Sequence, residues 1–370
     1  MDRRTFIKTG SALPIAVTLA GVPRVVLADT PAEAASVPWR AFEVTTRVQV
    51  LDAEGATRVW LPTPLTRDTD YFKNLGNVWS ADGGSINYAE DPKYSAGIVA
   101  AGFPASTQNP VVRLTSRFAT RDRYVDLSKP PRTPPREDAA VLKAALQPTE
   151  MIPTDGIVRE KALEITKGQR TDVEKARAIY EWIVENTFRD PKVRGCGWGD
   201  IKGMLETGNL GGKCGDLNAL YVGLARSVGV PARDVYGIRV AKSNNGFVSM
   251  GANTESISKA QHCRAEFWSQ AFGWVPVDPA DVRKVALEEP PGNRPLSDPK
   301  VQEARKKLFG YWEMNWLAYN RAHDLQLPGA SGWKVPYFMY PDGQTSRGRL
   351  DPLEPELFQY TITGKELKAA

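Results

Sequence analysis

The sequence predicts an α+β protein in which a small β-sandwich precedes a core of one cysteine-bearing helix packed on an antiparallel sheet. Three observations carry this reading. Residues 39–127 alternate apolar and polar side chains with the period of a half-buried strand; a proline run interrupts them; and beyond it helical periodicity gives way to strands, with no repeating strand–helix alternation.

In the first segment Phe42, Val44, Val48 and Val50 lie on one face of an alternating run. Asp52–Ala56 (DAEGA) reads as a turn and Thr57–Leu61 as a partner strand. From Val111 alternation resumes and puts Val112, Leu114 and Phe118 on one side. KPPRTPPRED follows, and prolines at this density continue neither helix nor sheet. We therefore expect a β domain over 39–129 and a second domain from 136 to 287.

The second domain opens with a short helix at Asp138–Leu146 and a longer one at Thr171–Thr187. Thr171 and Glu174 form a capping box, and Ala176, Ile179, Tyr180 and Ile183 make its inward stripe. Strands are expected at Val235–Val240, Gln261–Trp268 and Gly273–Asp278. A second proline-rich break spans Glu288–Pro299, and residues 300–370 read as an aromatic-rich extension packed on the core, some of whose aromatics could line a groove.

The first 34 residues combine basic residues, an apolar stretch from about Ser11 to Val22 and small-residue sites such as Val26-Leu27-Ala28, the pattern of an export signal. Asp2-Arg3-Arg4-Thr5-Phe6-Ile7-Lys8 resembles the twin-arginine type, although Asp2 stands where Ser or Thr is usual, and an ordinary secretory leader is the alternative. Either route implies a periplasmic or secreted protein without stable membrane insertion after cleavage. The formal net charge is only +5 over 370 residues, and Arg3, Arg4, Lys8 and Arg24 among its cations belong to this leader, so charge gives no support to nucleic-acid binding.

The chain has three cysteines, and an odd count in an oxidising compartment leaves at least one thiol free or paired outside the chain. Cys214 opens GGKCGDLNALYVGLARSVGV, where Leu217, Leu220, Tyr221, Leu224 and Val228 sit at helical spacing and Gly229 is a natural stop. A thiol at a helix N-terminus feels the positive end of the dipole, which favours the nucleophilic thiolate; a buried packing thiol is the bland alternative.

A nucleophile needs an oriented base, and the chain has only two histidines. His323, in RAHDLQL, reads as a surface or capping residue at a helix end. His262 lies in QHCRAEFWSQAFGWVPVDPAD, which folds naturally into a hairpin about Ser269–Ala271. That register sets His262 opposite Asp278, where a carboxylate can hold the imidazole. It turns Cys263 to the apolar face with Ala265, Phe267, Val275 and Val277. A Cys196–Cys263 disulfide would tidy the cysteine count, but the sequence fixes no distance between them. No CxxC or HxxxH pair supports a metal site, and none is expected.

The order of GGKCGDLNAL, GVPAR with its following strand VYGIRV, the histidine strand and GWVPVDP resembles the transglutaminase-like superfamily over residues 160–285. The resemblance implies a papain-like fold and a Cys-His-Asp triad: Cys214 as nucleophile, His262 as base and acid, Asp278 as orienting group. It implies acyl transfer or hydrolysis at protein or peptide amides, with no cofactor and no calcium requirement. The main-chain N–H of Cys214 supplies one oxyanion donor and Trp198 is a weak suggestion for another. The rival reading is a non-catalytic binding or assembly module whose contact surface lies in the aromatic C-terminal third, near Trp312–Trp316.

Overall fold

Strict alternation makes Arg40–Val50 the first strand of the computed structural model, which describes residues 37–368 apart from 253 and 355. Phe42, Val44, Val48 and Val50 are all buried, as the period of two requires. The export signal expected at 1–34 lies outside the described residues.

Thr57–Pro62 does not fold back beside this strand as the hairpin reading expects. It crosses to a second sheet and pairs with Gly97–Phe103 and Asp342–Thr345. The reason is visible in its side chains: Val59, Trp60 and Leu61 are buried in succession, so both faces are covered and the strand belongs inside a sheet.

The first sheet runs in the order Phe358–Leu367, Arg40–Val50, Val111–Thr120, Phe72–Ala81, and the second in the order Gly348–Leu350, Asp342–Thr345, Thr57–Pro62, Gly97–Phe103, Ser85–Glu90. Val48, Leu61, Val99, Leu114 and Phe358 fill the space between them. The C-terminal stretch thus does more than pack on the core. Its last strand takes the open edge of the first one, from Ala41↔Leu367 to Val50↔Phe358, and satisfies a row of main-chain groups that an edge strand would expose. Phe42, Phe72 and Phe118 also join the same apolar core as Ile179 and Leu220, and residues 38–370 form one compact unit.

The three helices expected from the sequence form, and four that it does not indicate join them at Gly156–Ile165, Ile201–Thr207, Pro279–Glu288 and Pro299–Lys307. Asp138 caps Ala139–Ala144. Asp172–Asn186 carries the capping box: Glu174 N–H donates to Thr171 Oγ1 at 3.2 Å and Thr171 N–H to Glu174 Oε2 at 2.9 Å. Cys214–Ser227 is buried along its whole length, including Asp216, Asn218 and Arg226. Arg226 is satisfied by the carbonyls of Ala232 and Gln147. Gly229 ends the element at φ +82°, a conformation that costs glycine little.

This helix lies on a four-stranded antiparallel sheet ordered Gly273–Val277, Gln261–Ser269, Ala232–Arg239, Trp316–Asn320. The fourth strand comes from the aromatic stretch, where Trp312 and Trp316 are fully buried. Trp316 Nε1 donates to the main-chain carbonyl of His262 at 2.9 Å. His323, expected at a surface helix end, is instead buried on the short strand His323–Leu325 against Tyr236, with Nε2 3.3 Å from Asp234. The segment RAHDLQL lacks helical periodicity, and Leu325 and Leu327 flank polar positions as a strand places them.

Candidate active site

Cys214 is the first residue of the buried helix and so occupies the turn whose N–H groups have no intrahelical acceptors. Asp216, in the same turn, binds this end of the helix to the glycine-rich loop before it. One carboxylate oxygen accepts from the Lys213 N–H at 2.9 Å and the other from the Gly199 N–H at 2.9 Å. Gly215 N–H donates to the Cys196 carbonyl at 2.8 Å, which brings a second thiol to the helix end. The close approach explains the loop's glycines. At Gly197, φ is +92° and a Cβ would stand 1.9 Å from the Asp216 carboxylate. Asp216 and Arg233 do not meet: Arg233 binds Glu266 at 2.6 Å and lies over the Trp274 ring.

The hairpin of Gln261–Ser269 and Gly273–Val277 is real, but its register differs from the sequence expectation by two residues. Glu266 faces Pro276 and Ala265 faces Val277, so continuing the ladder sets Asp278 level with Arg264, not with His262. A three-residue loop, 270–272, places the turn later than expected. Because the shift is even, Asp278 keeps its face of the sheet and reaches His262 on the diagonal. His262 Nε2 and Asp278 Oδ2 are 2.7 Å apart.

Asp278 is held from three directions. It caps the helix Pro279–Glu288, accepting from the Asp281 N–H at 3.1 Å, and Oδ1 also receives Asn218 Nδ2 at 3.3 Å. Asn218 sits one turn beyond Cys214 on the same helix and donates to the Cys263 carbonyl at 2.8 Å, so a single amide ties the thiol's helix to the histidine strand and to the carboxylate. Asp281 lies 3.5 Å from His262 Nε2 and takes two bonds from Arg239.

Electrostatics follow from this packing. Hydrogen bonds from the Cys196 thiol, then from Cys263, and contact with His262 overcome burial and hold the Cys214 thiol well below the usual range. Its neighbours move the other way: Cys196 is pushed well up by its bond to the Cys214 sulfur and by burial, and Cys263 by burial first. Burial and Arg239 oppose protonation of His262, but Asp281 and Asp278 outweigh them and raise its pKa. Asp281 stays far below the ordinary carboxylate range because Arg239 and His262 outweigh its burial. Asp278 is raised by burial and by Asp281, against the pull of His262 and Arg264.

All three cysteines are free, so the Cys196–Cys263 disulfide does not form. Cys263 does have the fully buried position expected of it, yet it also reaches the Cys214 sulfur from the histidine strand. His262, Asp278 and Asp281 put ligand-type atoms within 4.8 Å of one another. Their acceptors are taken by protein groups: both oxygens of Asp281 by Arg239, those of Asp278 by His262, Asn218 and a main-chain N–H.

Cys214 and His262 line a cavity of about 670 Å³ with Arg239, Gln261, Tyr340 and Tyr360. Gln261, beside His262 in sequence, is 9% exposed, and its buried Nε2 has no hydrogen-bond partner among the described residues. Trp198 is not among these walls. It is 66% exposed and borders a second, smaller cavity of about 200 Å³ with Pro336, Tyr337 and Phe338. Its neighbour Gly197 accepts from the Tyr337 hydroxyl through its carbonyl.

Residues 159–279 match the family model of the transglutaminase-like superfamily. A protein of Haemophilus influenzae (strain Rd), described as uncharacterized, is 35% identical over 331 residues, covering 85% of this chain and 88% of that one. The chain belongs to the transglutaminase-like superfamily. The matched span of this superfamily member contains Cys214, His262 and Asp278. Among solved structures it is similar to a candidate cysteine protease from Cytophaga hutchinsonii, with TM-score 0.49 and 15% identity over 89% of this chain and 98% of the other. It is also similar to the periplasmic domain of TgpA from Pseudomonas aeruginosa, with TM-score 0.32 and 16% identity over 69% and 93% of the two chains.

Proposed function

We propose that this chain is an exported thiol enzyme that transfers or hydrolyses the acyl group of a protein or peptide amide through a Cys214 thioester. One observation carries the reading. A thiol whose pKa is depressed sits at a helix N-terminus beside a histidine, and that histidine's other nitrogen is fixed by a buried carboxylate.

With Nε2 engaged by Asp278, Nδ1 is the histidine nitrogen left for proton transfer. The Cys214 sulfur attacks the amide carbonyl carbon and the C=O electron pair moves to oxygen. The Cys214 main-chain N–H and Gln261 Nε2 are the donors available to that oxygen, and Gln261 replaces Trp198 in this role. His262 gives its proton to the departing amine as the C–N bond breaks. It then takes a proton from an amine or a water that attacks the thioester, returning the thiol.

Export rests on the basic, apolar N-terminal sequence; among the described residues no helix is long and apolar enough to cross a membrane. We assign the chemistry to residues 136–287, with sandwich and C-terminal strands framing the cavity. Burial of Trp312 and Trp316 counts against that part of the aromatic stretch as the contact surface of the rival binding module.

Incubating the purified protein with a glutamine-containing peptide library, with and without a primary amine, tests the proposal by mass. Amine adducts mark transfer, a gain of about 1 Da marks deamidation, and fragments mark cleavage; Cys214→Ala should abolish all three. No mass change with any peptide, or activity retained in Cys214→Ala, sinks it.

A further inference from the structure

The walls of the Cys214 cavity carry one sign of charge. Arg189, Arg194, Lys213, Arg239, Lys259 and Lys284 line it, and no described carboxylate does. Several of these cations are answered from behind the wall. Asp281 binds Arg239, Glu288 serves both Arg189 and Lys284, and Asp351 and Glu354 bind Arg194. Lys213 and Lys259 have no ion-pair or hydrogen-bond partner for their ammonium groups among the described residues. They also flank the chemistry: Lys213 immediately precedes the thiol, and Lys259 precedes the histidine strand by two residues.

A site of this kind is poorly suited to a cationic ligand. Like charges facing one another across a low-dielectric cleft raise the local potential and attract an oppositely charged ligand. Six cations lining one cavity of about 670 Å³ also suit an extended peptide better than a single small anion. Tyr340 and Tyr360 add aromatic wall to the same cavity.

We infer that the acyl donor is an acidic peptide, with carboxylates on both sides of the reacting amide that pair with Lys213 and Lys259. This deepens the thiol acyl-transfer reading and rests on it for the identity of the reaction, although the charge selectivity has a readout of its own. Electrostatic attraction in an open cleft weakens as salt rises, and that dependence belongs to the inference.

The test uses the full chain in two arms. In the first, alkylation of Cys214 by anionic iodoacetate is compared with alkylation by neutral iodoacetamide, in the wild type and in Lys259→Glu. Lys259 is exposed and lies outside the thiol helix, and the iodoacetamide rate in the same variant reports whether the thiol site is intact. The iodoacetate-to-iodoacetamide ratio should fall several-fold in Lys259→Glu and further in Lys213→Glu/Lys259→Glu, with the difference shrinking in high salt.

In the second arm, matched peptides that differ only in having Glu, Ser or Lys on either side of the reacting residue are compared by kcat/KM. About tenfold or more in favour of the Glu peptide is expected, reversed by the double charge change. An unchanged alkylation ratio in both variants, or equal or better use of Ser or Lys peptides, overturns the inference. If no peptide of any charge reacts, acyl transfer fails while the alkylation ratio still decides the charge selectivity.

Discussion

Arg239 holds both oxygens of Asp281, at 2.6 and 2.7 Å, directly behind the His262 imidazole. The pair keeps Asp281 ionised in a buried site, and the ionised carboxylate in turn favours the imidazolium. Asp281→Asn removes one of the two carboxylates that raise the His262 pKa and leaves burial and Arg239 less opposed. The sign is therefore downward. The alkaline limb of the pH profile for amide turnover, where the imidazolium is lost, should move to lower pH. Because the variant also unpairs a buried arginine, a stability loss of about 3–5 kcal/mol is expected in a denaturant titration. A limb that stays in place in the folded variant counts against Asp281 acting on His262.

The three thiols titrate unequally because Cys196 and Cys263 lie beside Cys214 and favour its thiolate over their own. Cys196→Ala deletes the neighbour that favours the thiolate most, so the Cys214 pKa should rise toward the ordinary thiol range near ~8.5 and alkylation at pH about 6 should slow several-fold. Peptide mapping of the alkylated wild type should find Cys214 modified and Cys196 intact. Preferential modification of Cys196 would reverse the assignment.

Gly197→Ala tests the loop that closes over the helix end. The new Cβ enters the Asp216 carboxylate at a backbone angle of φ +92°, so strain of about 1–3 kcal/mol adds to a broken contact. Thermal stability should fall, and turnover should fall more than the lost stability accounts for, since the thiol's turn moves with Asp216. Gly208→Ala is the control. It sits at φ +69° with open space around its Cβ position and should cost stability without touching turnover.

Truncation after Leu357 removes the strand Phe358–Leu367, exposing the edge of Arg40–Val50 and deleting two cavity residues, Phe358 and Tyr360. Loss of soluble folded protein or self-association on size-exclusion chromatography is expected. A truncated chain that is monomeric and fully active would show that this strand serves neither the sandwich nor the site.

Much of this architecture can be read from local pattern. The capping box of Thr171 and Glu174, the alternation of Phe42 to Val50 and the start of a helix at Cys214 depend on neighbours a few residues apart, and they appear where the sequence puts them. The pairing of His262 with Asp278 survives a register that is off by two, because only an odd shift would have turned the carboxylate to the other face. What the sequence hides is long-range. Cys196 reaches Cys214 through a glycine loop with no periodicity, Arg239 meets Asp281 from another strand, and the edge of the first strand is covered by residues more than 300 positions later. Asn218 had a signal, lying four residues after Cys214 on the same helical face, and a polar residue in so apolar a helix marks a buried partner.

The central claim is that Cys214 is a thiolate sustained by His262, and the pH dependence of its alkylation by iodoacetamide, in the wild type and in His262→Ala, tests it most directly. The account expects wild-type Cys214 to react well below the ~8.5 of an ordinary thiol and His262→Ala to lose that low-pH reactivity. A single ordinary thiol titration in the wild type, or one that His262→Ala leaves unchanged, would contradict it.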